Sequence, residues 1–310
     1  MRDTRYEIRS DLIDTLTTDV PIIKAAVEGT TATYYKAFYV NANAGSDTNS
    51  GLTPLLPVKT LAAAIVLSNA VIALDKWGWA ARNVIYYEGD NKEVAAETLI
   101  TLPNKCDVVG VGSYDHRPMP MLIGNHVIGA GTYMGTRFIN MGFMSPAAGG
   151  VVFTAPTTTS GLAFLNCHID GRSTTPATIG ILGTAIEQFT VEGCKFFGKF
   201  STATIDIGAG SSRMLLIKSN QIESGAIGVR IDASMTCADS IAMIIDNYFA
   251  VETLTVDDNS SKCMICNNTG YTAAAKEIAN VLDCDAKLCT NNYFGNDTAN
   301  GIYPALAAIA

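Results

Sequence analysis

Residues 138–143 read FINMGF, and relatives of that phrase return as FLNCHI (164–169), VEGCKF (191–196), IKSNQI (217–222), IIDNYF (244–249), MICNNT (264–269) and LCTNNYF (288–294). Most copies run through two apolar residues, then Asn, Cys or another small polar residue, then an aromatic or Ile. Aligning Met141, Cys167, Cys194, Asn220, Asn247, Asn268 and Asn292 gives steps of 26, 27, 26, 27, 21 and 24 residues. An earlier relative, VVGVGS (108–113), lies about one step upstream. Recurrence at this period marks a stacked repeat architecture.

The content of one unit selects the architecture. Each holds only short strands separated by Gly, Asn, Ser or Thr, with no amphipathic helix of useful length between them. One unit cannot bury its apolar face alone, but stacked units share a continuous core. A leucine-rich repeat would show Leu at fixed offsets, and a propeller blade needs a longer repeat. Three short strands per turn, each turn about 4.8 Å above the last, fit the observed step. The expected fold is therefore all-β: a single-stranded, right-handed parallel β-helix over residues 37–300, with its clearest repeats at 138–294.

Composition agrees. Of 310 residues, 48% are hydrophobic and only 16% charged, as expected when alternate residues along many strands point into a dry core. The net charge is −8 and no Lys/Arg cluster occurs, which argues against nucleic acid as a partner, since phosphates demand a basic face. No stretch has the uninterrupted apolar length of a membrane span. The opening MRDTRYEIRSDLIDTL lacks the apolar core of a secretory signal, so synthesis in the cytoplasm is expected. On that expectation the eight cysteines are reduced and buried, and the triplets at Asn259, Asn267 and Asn296 are not glycosylated.

Residues 1–36 differ from the rest. Ser10 suits the start of a short helix carrying Leu12, Ile13 and Leu16. Asp19 and Pro21 suit the start of another that stops at Gly29. Both are short for independent stability, so the segment must dock on the body or on a partner. From Tyr34 the chain reads YYKAFYV, a strand, then NANAGSDTNSG, a loop, then PVKTLAAAIVLSNAVIAL, an Ala-rich helix at about 58–74. A β-helix exposes core and strand edges at each end, and this helix is placed to cover the first turn.

The stretch YVNANAGSDTNSG followed by PVKTLAAAI resembles the start of pectin-lyase-like β-helix proteins, through Gly45, Ser46, Asp47, Gly51, Pro57, Lys59, Thr60 and Ala64. Residues 107–124, DVVGVGSYDHRPMPMLIG, resemble the first full turn of that superfamily. The superfamily hosts lyases, hydrolases, adhesins and virus structural proteins, so the resemblance bears on fold rather than activity. With its short N-terminal segment and compact body the chain is most similar to phage virion proteins, the tailspikes and capsid-decorating proteins. That resemblance implies residence in the virion and a homotrimer. It also implies partners among other capsid or tail proteins, reached through residues 1–36, and host-surface glycans as a further partner.

Polysaccharide-cleaving β-helices use paired acids on the outer surface. Asp170, Glu187, Glu192, Asp206, Glu223, Asp232 and Asp246 lie in the repeats, and the expected neighbours are Glu192 with Asp170 and Glu223 with Asp206. Lys195, Arg213, Lys218 and Arg230 are scattered among them, without the recurring cation that would bind uronates. Trp77 and Trp79 are expected to pack at the cap. Tyr248, Tyr271 and Tyr293 are candidates for a solvent-facing sugar platform, with Tyr248 and Tyr293 at equivalent positions. Cys263 and Cys266 with Cys284 and Cys289 have a zinc-like look, but two tight pairs on turns are wanting, and Cys167 and Cys194 fall inside the repeat. Asp47, Asn49 and Gly51 resemble part of a calcium loop without its later acid, so turn chemistry is the simpler account. His116, His126 and His168 are far apart in sequence, and GAGSS (208–212) lacks the Lys and helix of a phosphate loop. No residue is therefore assigned to catalysis, to a cofactor or to a metal. The expected role is a non-catalytic virion protein, with a polysaccharide depolymerase or lyase as the alternative. The apolar tail GIYPALAAIA (301–310) is expected to lie at an interface or an end cap.

Overall fold

In the computed structural model the copies of the repeated phrase from FINMGF to MICNNT each form a strand, a sharp corner and the start of a second strand. The structure describes residues 34–303, apart from 75–80, 89–96, 113–119, 147–148, 173, 212, 224, 233–234, 237–241, 260–262, 273–277, 280–287, 291 and 296–299. The expected helices before Tyr34, and Trp77, Trp79, His116, Cys284 and the tail beyond Tyr303, lie outside the described residues.

Three sheets carry the fold. Sheet I has ten strands, from Tyr34–Asn41 to Leu288–Thr290. Sheet II has nine, from Met121–Ile123 to Asn300–Tyr303, and sheet III has seven, from His126–Val127 to Ile278–Ala279. The chain visits I, II and III in turn, so every strand pairs with the strands one repeat before and after it. Pairing within the three sheets is parallel, except where Asn300–Tyr303 folds back antiparallel on Asn292–Gly295. The architecture is the expected parallel β-helix with three strands per turn.

The corner between sheets I and II explains the repeated phrase. One residue per turn takes a left-handed backbone there: Asn140, Asn166, Gly193, Ser219, Asp246 and Asn267, with φ between 52° and 65°. A left-handed residue re-aims the chain in one step, and Gly, Asn and Asp tolerate it best. The following residue points inward, at positions 141, 167, 194, 220, 247 and 268. At a bend its backbone groups lose their sheet partners, and a side chain from the next turn replaces them. Asn247 Oδ1 accepts from the backbone N–H of Asn220 at 3.0 Å and from its Nδ2 at 2.9 Å. Asn247 Nδ2 in turn donates to the Ile217 carbonyl at 3.0 Å and to Asn268 Oδ1 at 2.9 Å. Asn268 and Asn292 repeat the pattern, and Asn220 Oδ1 accepts from the N–H of Cys194 at 2.8 Å. All four Asn side chains are buried. Earlier in the chain sulfur does a weaker version: Cys194 Sγ takes the Cys167 N–H at 3.4 Å.

Beside this ladder, alternation builds the core. The inward column of sheet I runs in register from Phe38 through Val108, Phe138, Phe164 and Ile217 to Ile265, all buried. Neighbours on either side of that column point out, because successive side chains on a strand alternate faces. Phe138, Phe143, Phe153 and Phe164 fill the middle turns edge to face, with Phe153 and Phe164 centroids 5.0 Å apart. Sheet I begins two strands before sheets II and III, and a helix takes their place. This helix, α1 (Leu61–Ala73), packs Leu61, Ala64 and Ile65 into the same core. It starts three residues later than the expected position 58. Asp47 holds Lys59 and Thr60 in the loop by accepting both backbone N–H groups at 2.9 and 2.8 Å, and the Thr60 hydroxyl at 3.0 Å. Thr60 then caps α1, accepting from Ala63 N at 3.1 Å, and Glu97 accepts from Ala62 N at 2.8 Å. Gly45 is required in that loop, since a Cβ would sit 2.3 Å from the Val58 carbonyl oxygen.

Replacing Asn247 by Ala leaves the Asn220 backbone N–H without its acceptor and removes one bond each from Asn220 Nδ2, the Ile217 carbonyl and Asn268 Oδ1, although Asn220 Nδ2 keeps the Val191 carbonyl and Asn268 Oδ1 keeps the Asn247 N–H. A buried unsatisfied group costs about 1–3 kcal/mol and each further lost bond about 0.5–1.5 kcal/mol, so the variant should lose about 3 kcal/mol. Urea midpoints at constant slope measure this, and a loss under about 1 kcal/mol would show that the corner does not depend on the ladder.

Candidate functional site

The register disperses the seven carboxylates over the whole circumference. Glu192 stands on the outer face of sheet I, 3.7 Å from Lys218 Nζ. Asp170 and Glu223 stand on sheet II, and Asp206 stands on sheet III, paired with Arg230 at 3.0 and 2.5 Å. Asp206 holds the Arg230 guanidinium more firmly charged than usual. Asp246 is at the exposed I–II corner, Glu187 pairs through its backbone with Arg213 near the corner from III to I, and Asp232 follows the sheet III strand Ile227–Ile231. The two expected neighbour pairs are therefore corrected. The I–II corner separates Glu192 from Asp170, and Glu223 and Asp206 belong to different sheets. The pair that shares a column is Asp170 and Glu223, two turns apart on sheet II with Phe197 between them.

A further acid, unremarked in the sequence, is Asp107. It is fully buried on the outer side of sheet I between Arg82 Nη1 at 2.5 Å and a two-pronged Arg137 at 2.6 Å. Its charge is spent on structure. The other candidates resolve similarly. Cys263 faces inward and Cys266 outward on one strand, so their spacing cannot chelate; no metal-ligating cluster occurs among the described residues. Cys167 and Cys194 stack in the corner ladder as expected, and burial raises the Cys194 thiol and pushes Cys106 up to about 12. Asp47 spends both oxygens on the cap of α1. A cleft of about 400 Å³ opens over the first two strands of sheet I, between Tyr39, Pro57, Tyr86 and Glu88. It holds Glu88, bonded to Asn41 at 3.0 Å, and the stacked Tyr39 and Tyr86, without a second acid or a nucleophile.

The outer face of sheet II is where polar and aromatic groups collect. One column places His168, Lys195, Gln221, Tyr248, Thr269 and Tyr293 in register. The next carries Asp170, Phe197, Glu223, Ala250 and Tyr271. His168 lies against Phe197 at 4.9 Å between centroids, and Gln221 Nε2 donates to the Glu223 carboxylate. Tyr248, Tyr271 and Tyr293 are 46%, 42% and 51% exposed, and Tyr248 and Tyr293 share a column as expected. No helix among the described residues is long and apolar enough to cross a membrane.

No protein family and no curated protein matches the chain. Among solved structures it is similar to the native GH136 lacto-N-biosidase from Eubacterium ramulus, at 11% identity and a TM-score of 0.30 over 91% of this chain and 70% of that one. A likeness at that score carries no argument about activity.

His126 is the histidine that the fold commits. It lies inside the first turn, buried against Phe143 and Phe153, with Nδ1 accepting from Leu99 N at 3.1 Å. Nε2 has no well-formed partner, although the Leu122 backbone lies near. Burial lowers its pKa from 6.5 to about 4. An unfolded chain takes up this proton below about 6.5 and the folded chain does not, so stability must fall as pH drops from 6.5 towards 4. The loss reaches about 3 kcal/mol at most. In His126→Leu that portion of the pH dependence should vanish from urea midpoints taken between pH 7 and 4, although the variant is weaker at pH 7 for orphaning Leu99 N. An unchanged slope would show that other groups set the acid limit.

Proposed function

We propose that the chain is a non-catalytic structural protein of a virus particle, a β-helix displayed on the capsid or tail in a decoration or spike role. The observation that supports this reading is the outer face of sheet I. Ile139 and Leu165 in one column, Leu216, Met243 and Met264 in the other, and Ile245 beside them are half-exposed in succession. Their turns span about 24 Å along the axis at 4.8 Å each. The charges among them are paired: Glu192 faces Lys218, and Arg137 binds Asp107. A sheet face that stands in water ordinarily alternates polar groups outward; an apolar one is matched to another protein surface. The strip would join copies of the chain into a trimer, with residues 1–36 left to attach the assembly to the particle.

The alternative, a polysaccharide depolymerase, has one observation in its favour. Asp170 and Glu223 are about 10 Å apart at the backbone by strand spacing, near the upper end of the 6.5–9.5 Å between carboxyl groups in inverting glycosidases. Such an enzyme would release new reducing ends from a host polysaccharide and lose this with either Asp170→Asn or Glu223→Gln.

Light scattering after gel filtration tests the first reading. The wild-type chain should have three times the monomer mass, and Leu216→Lys with Met243→Lys should reduce it to one while far-UV circular dichroism stays unchanged. A monomeric wild type removes the support that sheet I provides.

A further inference from the structure

Aromatic rings are expensive to leave in water, and most of those whose exposure the structure describes are buried. Among the described residues the exposed aromatic side chains are Tyr248, Tyr271 and Tyr293, and all three lie on the outer face of sheet II within three successive turns. The register spaces them regularly. Tyr248 and Tyr293 occupy one column two turns apart, about 9.6 Å along the axis, with Thr269 between them. Tyr271 occupies the neighbouring column on the intermediate turn, in register with Ala250. Thr269 and Ala250 are too small to cover the rings, so ring surface stays open above a shallow trough running along the axis.

The chemistry around the trough narrows what would fill it. Gln221 and Glu223, one turn before Tyr248, bond to each other and present an amide and a carboxylate at the trough's edge. The exposed corner residues Asp246 and Asn267 line its side, each one residue before the ladder. Apolar ring faces bordered by amide, carboxylate and hydroxyl groups complement a pyranose, whose C–H face lies on an aromatic ring while its hydroxyls project to the rim. A purely aliphatic partner would leave the bordering groups unpaired, at a cost for each. Charge excludes polyanions: the chain carries −8 overall, and Glu223 and Asp246 lie beside the rings.

We propose that this face of sheet II binds a neutral glycan chain lying along the helix axis, with Tyr248 and Tyr293 as stacking platforms and Tyr271 as the flanking contact. The proposal does not depend on where the protein resides, nor on any cleavage. Tyrosine supplies such a platform at low entropic cost, since its ring is rigid and its hydroxyl remains solvated.

The test is binding of the purified full chain to a printed array of microbial glycans, neutral and uronate- or sialate-bearing. The wild type should bind neutral members. Tyr248→Ala and Tyr293→Ala should each weaken this by about three- to tenfold, while Tyr248→Phe and Tyr293→Trp retain it. These positions face solvent, so circular dichroism and urea midpoints should stay unchanged. Absence of binding to any neutral glycan overturns the proposal, as does binding confined to acidic ones or binding indifferent to the Ala substitutions. A fall in solution mass in the Ala variants would also overturn it, by identifying the trough as a contact between protein chains.

Discussion

Turning a parallel β-helix from one sheet to the next breaks the hydrogen bonding that the sheets themselves supply. At the I–II corner a single left-handed residue makes the turn, and the next residue's backbone must find partners inside a dry core. The buried amides of Asn220, Asn247, Asn268 and Asn292 solve this collectively: each serves the turn before it, and the first three are served by the turn after. Leaving such groups unpaired costs more than the bonds return when made, so the ladder constrains the stacking register as well as stabilising it. The Cys pair earlier in the chain meets the same need with weaker acceptors, in turns where the Phe cluster supplies more packing.

Once the ladder and the inward columns align the turns, the outward residues fall into columns too. Three faces of different chemistry result. Sheet I presents aliphatic side chains, sheet II polar groups that give way to tyrosines, and sheet III an ordered run of charge in which Asp206, Arg230 and Asp257 are in register. On sheet III Arg230 binds Asp206 and stands beside Asp257, so that face is charged and self-sufficient in water. The other two faces are not self-sufficient in this sense, and the functional reading rests on them.

The ends need different solutions. At the start, α1 and the loop held by Asp47 stand in for the two missing sheets, and Thr60, Asp47 and Glu97 jointly satisfy the loop and helix start there. At the other end the last described strand reverses and pairs antiparallel, so the edge of sheet II is covered by the chain's own backbone.

The sequence by itself determined the repeat, the three-strand turn and the inward positions, because period and alternation are local consequences of strand geometry. It also contained the column assignments, in a form easily overlooked. Asp170 and Glu223 each follow a ladder residue by three, Cys167 and Asn220, and Tyr248 and Tyr293 each follow one by a single position. Reading offsets from the ladder, rather than distances along the chain, pairs Asp170 with Glu223 and removes Glu192, which precedes its ladder residue and so lies across the corner. Burial on the outer side was not legible. Asp107 looks like any surface acid until Arg82 and Arg137 close over it, and His126 looks like a loop residue until Phe143 and Phe153 enclose it. Those environments are assembled from residues on neighbouring strands and turns, 17 to 30 positions apart in the chain. Only the closed coil brings them together, and burial with a given set of neighbours is what decides a charge's state.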